Sequence, residues 1–238
     1  MQNSIRKTAL VTGAARRLGR EIALTLARAG FDVVITYRNS GAEAEELAAE
    51  IRALGVEGFA VPMDVRKEAS VREAVAAVKF GRLDLLVNNA GIFESAPLGE
   101  ISLAQWDAVF ETNTRGPYLV AREALPALKA ASGRIVNLGS LGGSHAWATH
   151  GHYCTSKAAL EMLTKVMAKA FAPEVSVNCV APGFIAFESD GQTEQFAAKT
   201  PMGRNGSAQD VAEAVRFLAT GPHFITGQIL TVDGGLGL

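Results

Sequence analysis

Thr8-Ala9-Leu10-Val11-Thr12-Gly13-Ala14-Ala15-Arg16-Arg17-Leu18-Gly19 decides how the remaining residues are read. Thr8 to Thr12 is a short apolar run with strand character, and Leu18 to Ala29 has helical periodicity. Between them Gly13 permits a tight turn and Gly19 a close approach of helix to strand. Backbone N–H groups at a helix start, together with the positive end of the helix dipole, suit a pyrophosphate. A glycine-rich turn alone is a modest signal; the order strand, turn, helix raises it above a bare pattern match.

Outward from this unit the same alternation recurs. Val33–Tyr37, Phe59–Pro62, Leu83–Asn88, Arg134–Leu138 and Val175–Ala181 read as further strands. Ala42–Leu54, Val71–Lys79, Trp106–Lys129 (with a break near Gly116-Pro117) and Tyr153–Phe171 read as helices. In Ala42–Leu54 the residues Leu47, Ile51 and Leu54 fall at helical spacing. Strands that are almost wholly apolar imply a sheet covered on both faces. The expectation is an α/β protein: a single doubly wound Rossmann-type domain over residues 1–238, with a central parallel sheet of about seven strands and helices on both faces.

Composition narrows the classes. Of 238 residues, 48% are hydrophobic, and 23 Lys+Arg against 24 Asp+Glu leave a net charge of −1. A neutral balance argues against a nucleic-acid or anionic-membrane partner, and Arg16, Arg17 and Arg20 lack the interleaved aromatics of a nucleic-acid surface. No apolar run approaches about 18 residues, and Met1 to Lys7 carries no signal-peptide stretch. Cys154 and Cys179 form neither a disulfide framework nor a metal site. A cytoplasmic protein acting on a small molecule is expected.

The chain resembles the short-chain dehydrogenase/reductase family over essentially its whole length, with the motif usually written TGxxxGxG at residues 12–19. The middle glycine is replaced by Arg17, as in the pteridine reductase branch, where that arginine reaches cofactor phosphate and substrate. Two cations at the positive end of a helix dipole are unfavourable without an anion, which favours a phosphate partner. At the end of the second strand, Tyr37-Arg38-Asn39-Ser40 contains no carboxylate to accept from a ribose 2′-OH. Arg38 and Arg16 can bracket a 2′-phosphate, with Asn39 and Ser40 as further donors, so NADP(H) is the expected cofactor. The resemblance also implies an adenine contact at Asp64-Val65 and an NNAG turn at Asn88-Asn89-Ala90-Gly91. Pro182-Gly183-Phe184-Ile185 resembles the loop that receives the nicotinamide amide. Phe187 stands where the family usually has Thr, which bears on one carboxamide contact.

Tyr153-Cys154-Thr155-Ser156-Lys157 puts a phenol and an ammonium on one helix face. Such a pair occurs by chance on many surfaces. Ser140, thirteen residues ahead of Tyr153, and Asn113 complete the family's Asn–Ser–Tyr–Lys set. The resemblance implies that Tyr153 donates a proton to a carbonyl oxygen as hydride arrives and that Ser140 hydrogen-bonds that oxygen. Lys157 is implied to hold the ribose and lower the tyrosine's pKa, and Asn113 to position a water.

Ser140 suits a ketone, whereas the pteridine reductases carry Asp there. The primary reading is therefore a carbonyl or 3-oxoacyl-type reductase, with pterin reduction as the alternative and a non-catalytic NADP-binding protein as the second. Phe93 and Phe187 are candidate substrate residues, Phe93 being equally readable as core. A substrate loop is expected at about 186–200, its acidity carried by Glu188, Asp190 and Glu194. His145, His150 and His152 lack metal-ligand spacing and read as pocket rim or solvated loop. By family analogy, and from the broad apolar surface of the helix after Tyr153, a homotetramer is expected.

Overall fold

The chain is seen in a computed structural model that describes residues 6–77, 81–187 and 194–238. Along it run β1 (Thr8–Val11), α1 (Arg17–Arg28), β2 (Asp32–Tyr37), α2 (Gly41–Ala53), β3 (Gly58–Pro62), α3 (Glu68–Ala77), β4 (Leu85–Asn88) and α4 (Leu103–Phe110). They are followed by α5 (Gly116–Ala131), β5 (Arg134–Leu138), α6 (Gly151–Ala170), β6 (Ser176–Pro182), α7 (Glu194–Ala197), α8 (Ala208–Thr220) and β7 (Ile229–Val232). The strands form one parallel sheet in the order β3-β2-β1-β4-β5-β6-β7. The order reverses at β1 and β4, which places a crevice at the carboxyl ends of those strands.

Period-two alternation splits the core between the two faces. Ala9, Val11, Val33, Ile35, Leu85 and Val87 pack with residues of α1, α2 and α8. Leu10, Val34, Leu86 and Ile135 point the other way, onto α3, α5 and α6. Each central strand is buried on both sides, as its unbroken apolar sequence requires.

Three expectations change. The anticipated break near Gly116-Pro117 is a π-helical turn over Glu111–Arg115, through which α4 winds directly into α5. Gly116 is needed there because a Cβ would stand 2.9 Å from Val65 Cγ2. Leu54 lies at the C-cap of α2 and is 46% exposed, so the buried stripe of that helix ends at Ile51. Helix α8 and strand β7 were not among the expected elements. The signal for α8 lay in a capping box, with Ser207 Oγ accepting from the Asp210 N–H ahead of Val211, Val215 and Leu218. The anticipated acidity at Glu188 and Asp190, the end of the helix expected to reach Lys79, and Met1 to Ile5 lie outside the described residues.

Candidate active site

The loops after β1 and β4 are joined into one body. Asn89 Nδ2 donates to the carbonyls of Thr12 (2.9 Å) and Gly13 (3.0 Å), while Thr12 Oγ1 accepts from the N–H groups of Asn89 and Ala90. Gly13 has φ +62°, and a Cβ there would fall 2.9 Å from Ala90 Cα; a Cβ on Gly19 would meet Asn89 Nδ2 at 2.5 Å. Only glycine allows this turn to nest against β4. A cleft of about 520 Å³ opens above it, at the carboxyl ends of the strands. Gly13, Leu18, Gly19, Asn89, Ala90 and Gly91 form its floor, and Pro182, Gly183 and Ile185 its opposite wall.

Arg16, Arg17 and Arg38 also line the cleft. Arg16 is paired with Glu43 of α2, so the expectation of helix-start cations without an anion is corrected: the fold supplies Arg16 with a carboxylate. Arg17 has φ +52°, the left-handed conformation in which the family motif keeps glycine, and its guanidinium lies 4.0 Å over the Phe187 ring. A non-glycine residue there stores about 1 kcal/mol of strain. Asp64 and Val65 line the cleft. Arg66 donates to the Asp64 carboxylate at 2.7 and 3.0 Å and holds its pKa down at about 2. Tyr37, Asn39 and Ser40 are not among the cleft residues. Tyr37 packs on the core formed with α1 and α2, and Ser40 is the N-cap residue of α2.

At the reacting end Ser140, Tyr153 and Lys157 meet on the cleft wall. Ser140 leaves β5 with its Oγ accepting from the Gly142 N–H at 3.1 Å. Lys157, 6% exposed, donates to the Leu138 carbonyl at 2.6 Å, and its Nζ lies 5.8 Å from the centre of the Tyr153 ring. Burial lowers Lys157 to about 8. The expected acidification of Tyr153 is corrected. Burial of the phenol raises its pKa, and the lysine is directed at a backbone carbonyl rather than the phenolic oxygen.

Asn113 is fully buried in the π-turn, and its amide is already engaged. Oδ1 accepts from the Ile92 N–H at 2.9 Å, and Nδ2 donates to the Ile92 carbonyl at 3.0 Å and to Ser156 Oγ at 3.1 Å. Its side chain therefore clamps the segment after β4 onto α6 and does not line the cleft. Sequence reasoning missed a buried relay beneath it. Asn88 donates to Asn137, and Asn137 to Thr164, linking β4, β5 and α6 at 2.9 and 2.8 Å. The signal was an Asn after the apolar run of each strand, last in β4 and next to last in β5.

The substrate side is aromatic. Phe93 is 61% exposed and lies edge-on to Tyr153 (4.8 Å between centroids), which settles it as cleft wall and not core. It stacks on His150 at 4.7 Å, with Trp147 edge-on at 6.5 Å. Phe187 also lines the cleft, and Phe196 of α7 stacks on Phe184 at 4.1 Å. The three loop histidines separate: His145 contacts the Gly237 carbonyl, His150 backs Phe93, and His152 is completely buried. Cys154 is buried under Gly142 as a packed small residue.

A doubly wound parallel sheet, a glycine turn at its switch point and a Ser–Tyr–Lys group in the same crevice define an α/β oxidoreductase of the dinucleotide-binding class. Residues 13–237 match the family described as "Enoyl-(Acyl carrier protein) reductase". A Staphylococcus epidermidis protein named 3-oxoacyl-[acyl-carrier-protein] reductase FabG is 40% identical over 240 residues, spanning 97% of this chain and 98% of its own. Among solved structures, a blue fluorescent protein from a metagenomic library in complex with NADPH superposes with TM-score 0.90 at 34% identity, covering 98% of both chains. A gluconate 5-dehydrogenase from Burkholderia cenocepacia, in complex with NADP and tartrate, gives TM-score 0.89 at 34% identity over 97% of this chain and 94% of its own. The chain belongs to the short-chain dehydrogenase/reductase family.

Proposed function

We propose that this protein uses NADPH to reduce a ketone or 3-oxoacyl-type carbonyl to the alcohol, with Tyr153 as proton donor. The observation that carries the reading is the Ser140–Tyr153 hydroxyl pair on the cleft wall with the Lys157 ammonium buried behind it. The residues present fit NADP(H): glycines 13 and 19 let the turn nest against the loop after β4 at the edge of the cleft, and Arg16 and Arg38 line the same cleft as candidates to bracket a 2′-phosphate. The dinucleotide supplies the hydride that adds to the carbonyl carbon. The proton for the oxygen comes from Tyr153 Oη. Ser140 Oγ donates a hydrogen bond to the same oxygen as negative charge develops on it. The Lys157 ammonium offsets the phenolate left behind. Asn113 acts here as a positioning residue, through Ile92 and Ser156.

Two hydroxyl donors suit a carbonyl, and the 3-oxoacyl reductases at 40% identity point the same way. Pterin reduction remains the second reading because Phe93 and Arg17 both border the cleft and suit a planar heterocycle. An intact Ser–Tyr–Lys set speaks against a non-catalytic role. The test is stopped-flow NADPH oxidation with a diketone, acetoacetyl-CoA and dihydropterin. Tyr153→Phe is expected to retain NADPH affinity and lose about 10³-fold in turnover; undiminished turnover overturns the assignment. The same reading takes the working form as a homotetramer, consistent with exposed Met162 and Val166 on α6 and checked by light scattering. No helix among the described residues is long and apolar enough to cross a membrane.

A further inference from the structure

His152 precedes Tyr153 and is 0% exposed, yet neither ring nitrogen has a hydrogen-bond partner. A buried polar group left unpaired is destabilising, so its persistence calls for a reason. Its nearest counter-group is the Glu94 carboxylate, 4.0 Å from Nε2 and 44% exposed. Glu94 follows Phe93, so the two pairs are in register: Phe93 touches Tyr153 as Glu94 faces His152.

Further contacts bring the same two segments together. The Ala96 N–H donates to the Thr149 carbonyl at 2.8 Å, and Phe93 stacks on His150. Gly151 opens α6, where an added Cβ would stand 2.5 Å from Leu98 Cδ1. The segment after β4 is thus laid along the start of α6, with a carboxylate and an imidazole facing one another at its centre. Full burial keeps His152 from touching a substrate, so it can act only through its neighbours.

We propose that His152 and Glu94 are a positioning pair. Rotation of the half-exposed Glu94 side chain brings its carboxylate from 4.0 Å to within hydrogen-bond distance of Nε2–H, and the bond then formed holds Phe93 against Tyr153 as the wall that admits the substrate. The donor is a ring N–H and the acceptor a carboxylate oxygen. The kinetic part of this proposal rests on the carbonyl-reductase reading; the spectroscopic part does not.

Trp147 stacks near Tyr153 and lies edge-on to Phe93, so it reports the packing of this wall. In a Trp106→Phe background it is the one remaining tryptophan. Glu94→Ala is expected to raise acrylamide quenching of Trp147 about twofold. It should also raise KM for a diketone about tenfold, with kcat and the NADPH Kd within twofold of the parent. Glu94→Gln keeps an acceptor for Nε2–H and is expected to restore both readings to within twofold. Unchanged quenching in Glu94→Ala overturns the proposal, as does a Glu94→Gln variant as impaired as Glu94→Ala. A parent protein that reduces no carbonyl would defeat the functional reading, and the quenching comparison would still decide the pair.

Discussion

Lys157 Nζ donates to the Leu138 carbonyl at 2.6 Å, tying the helix that carries the phenol to the end of the central strand that precedes Ser140. The bond satisfies part of a buried ammonium's need for acceptors, yet burial still brings its pKa from 10.5 to about 8. Below pH 8 folded and unfolded chains both carry the proton, and the folded chain bears the full desolvation cost. Between about 8 and 10.5 only the unfolded chain retains it, so that cost fades as pH rises. Lys157→Met is therefore expected to be inactive and more stable by about 2 kcal/mol at pH 7, a rise of several degrees in Tm. Thermal melts at pH 7 and 10 check this: the gap between variant and parent should shrink at the higher pH.

The pH dependence of turnover follows from the same two groups. Burial pushes the Tyr153 phenol up, so on the proposed mechanism its own titration moves away from neutrality. The first limb on the alkaline side is expected at about pH 8, where Lys157 becomes neutral. Lys157→Arg keeps the charge and should move that limb upward even if the plateau is lower. A limb at the same pH in both proteins would separate it from the lysine.

Arg38 lies at the cleft mouth where a dinucleotide's adenosine ribose is expected. Arg38→Asp replaces a phosphate donor by an acceptor for a 2′-OH. The Kd for NADPH should rise by about 10- to 100-fold and that for NADH should fall, as read by fluorescence titration of both cofactors.

At φ +52° Arg17 sits in a conformation glycine adopts freely. Arg17→Gly should relieve about 1 kcal/mol of strain while losing the contact over Phe187. The expected variant is as stable as the parent or slightly more so by denaturant melt, with NADPH affinity down about tenfold by titration.

Asn89→Ala removes both donors to the Thr12 and Gly13 carbonyls. A loss of about 1–3 kcal/mol is expected in urea melts, together with weaker cofactor binding, because the glycine turn is no longer held to β4. Equal stability would mean that water replaces the amide without cost.

The five inner strands were legible because burial on both faces favours apolar residues, and the edge strand β3 because its sequence is apolar although Phe59 is exposed. The other edge strand, β7, has a similar sequence over Ile229–Val232, in which Leu230 and Thr231 are exposed, and it was not among the expected strands. Helix α8 escaped notice although its Ser207–Asp210 box was in plain view. The Ser–Tyr–Lys set was readable from spacing, since Tyr153 and Lys157 share one helical face and Ser140 ends a strand. The environments of those residues were not readable. Tyr153 is raised instead of lowered, Arg16 has a carboxylate partner from α2, and Asn113 binds a backbone segment rather than lining the cleft.

Sequence alone determined the parallel α/β plan, the family and the candidate Ser–Tyr–Lys set, because periodicity and local spacing are properties of neighbours along the chain. Tertiary structure alone decided which face each charge meets, how deeply the lysine and tyrosine are buried, and that Phe93 and Glu94 lie along the start of α6. Those properties depend on desolvation and on contacts between residues distant in sequence, which no local pattern encodes.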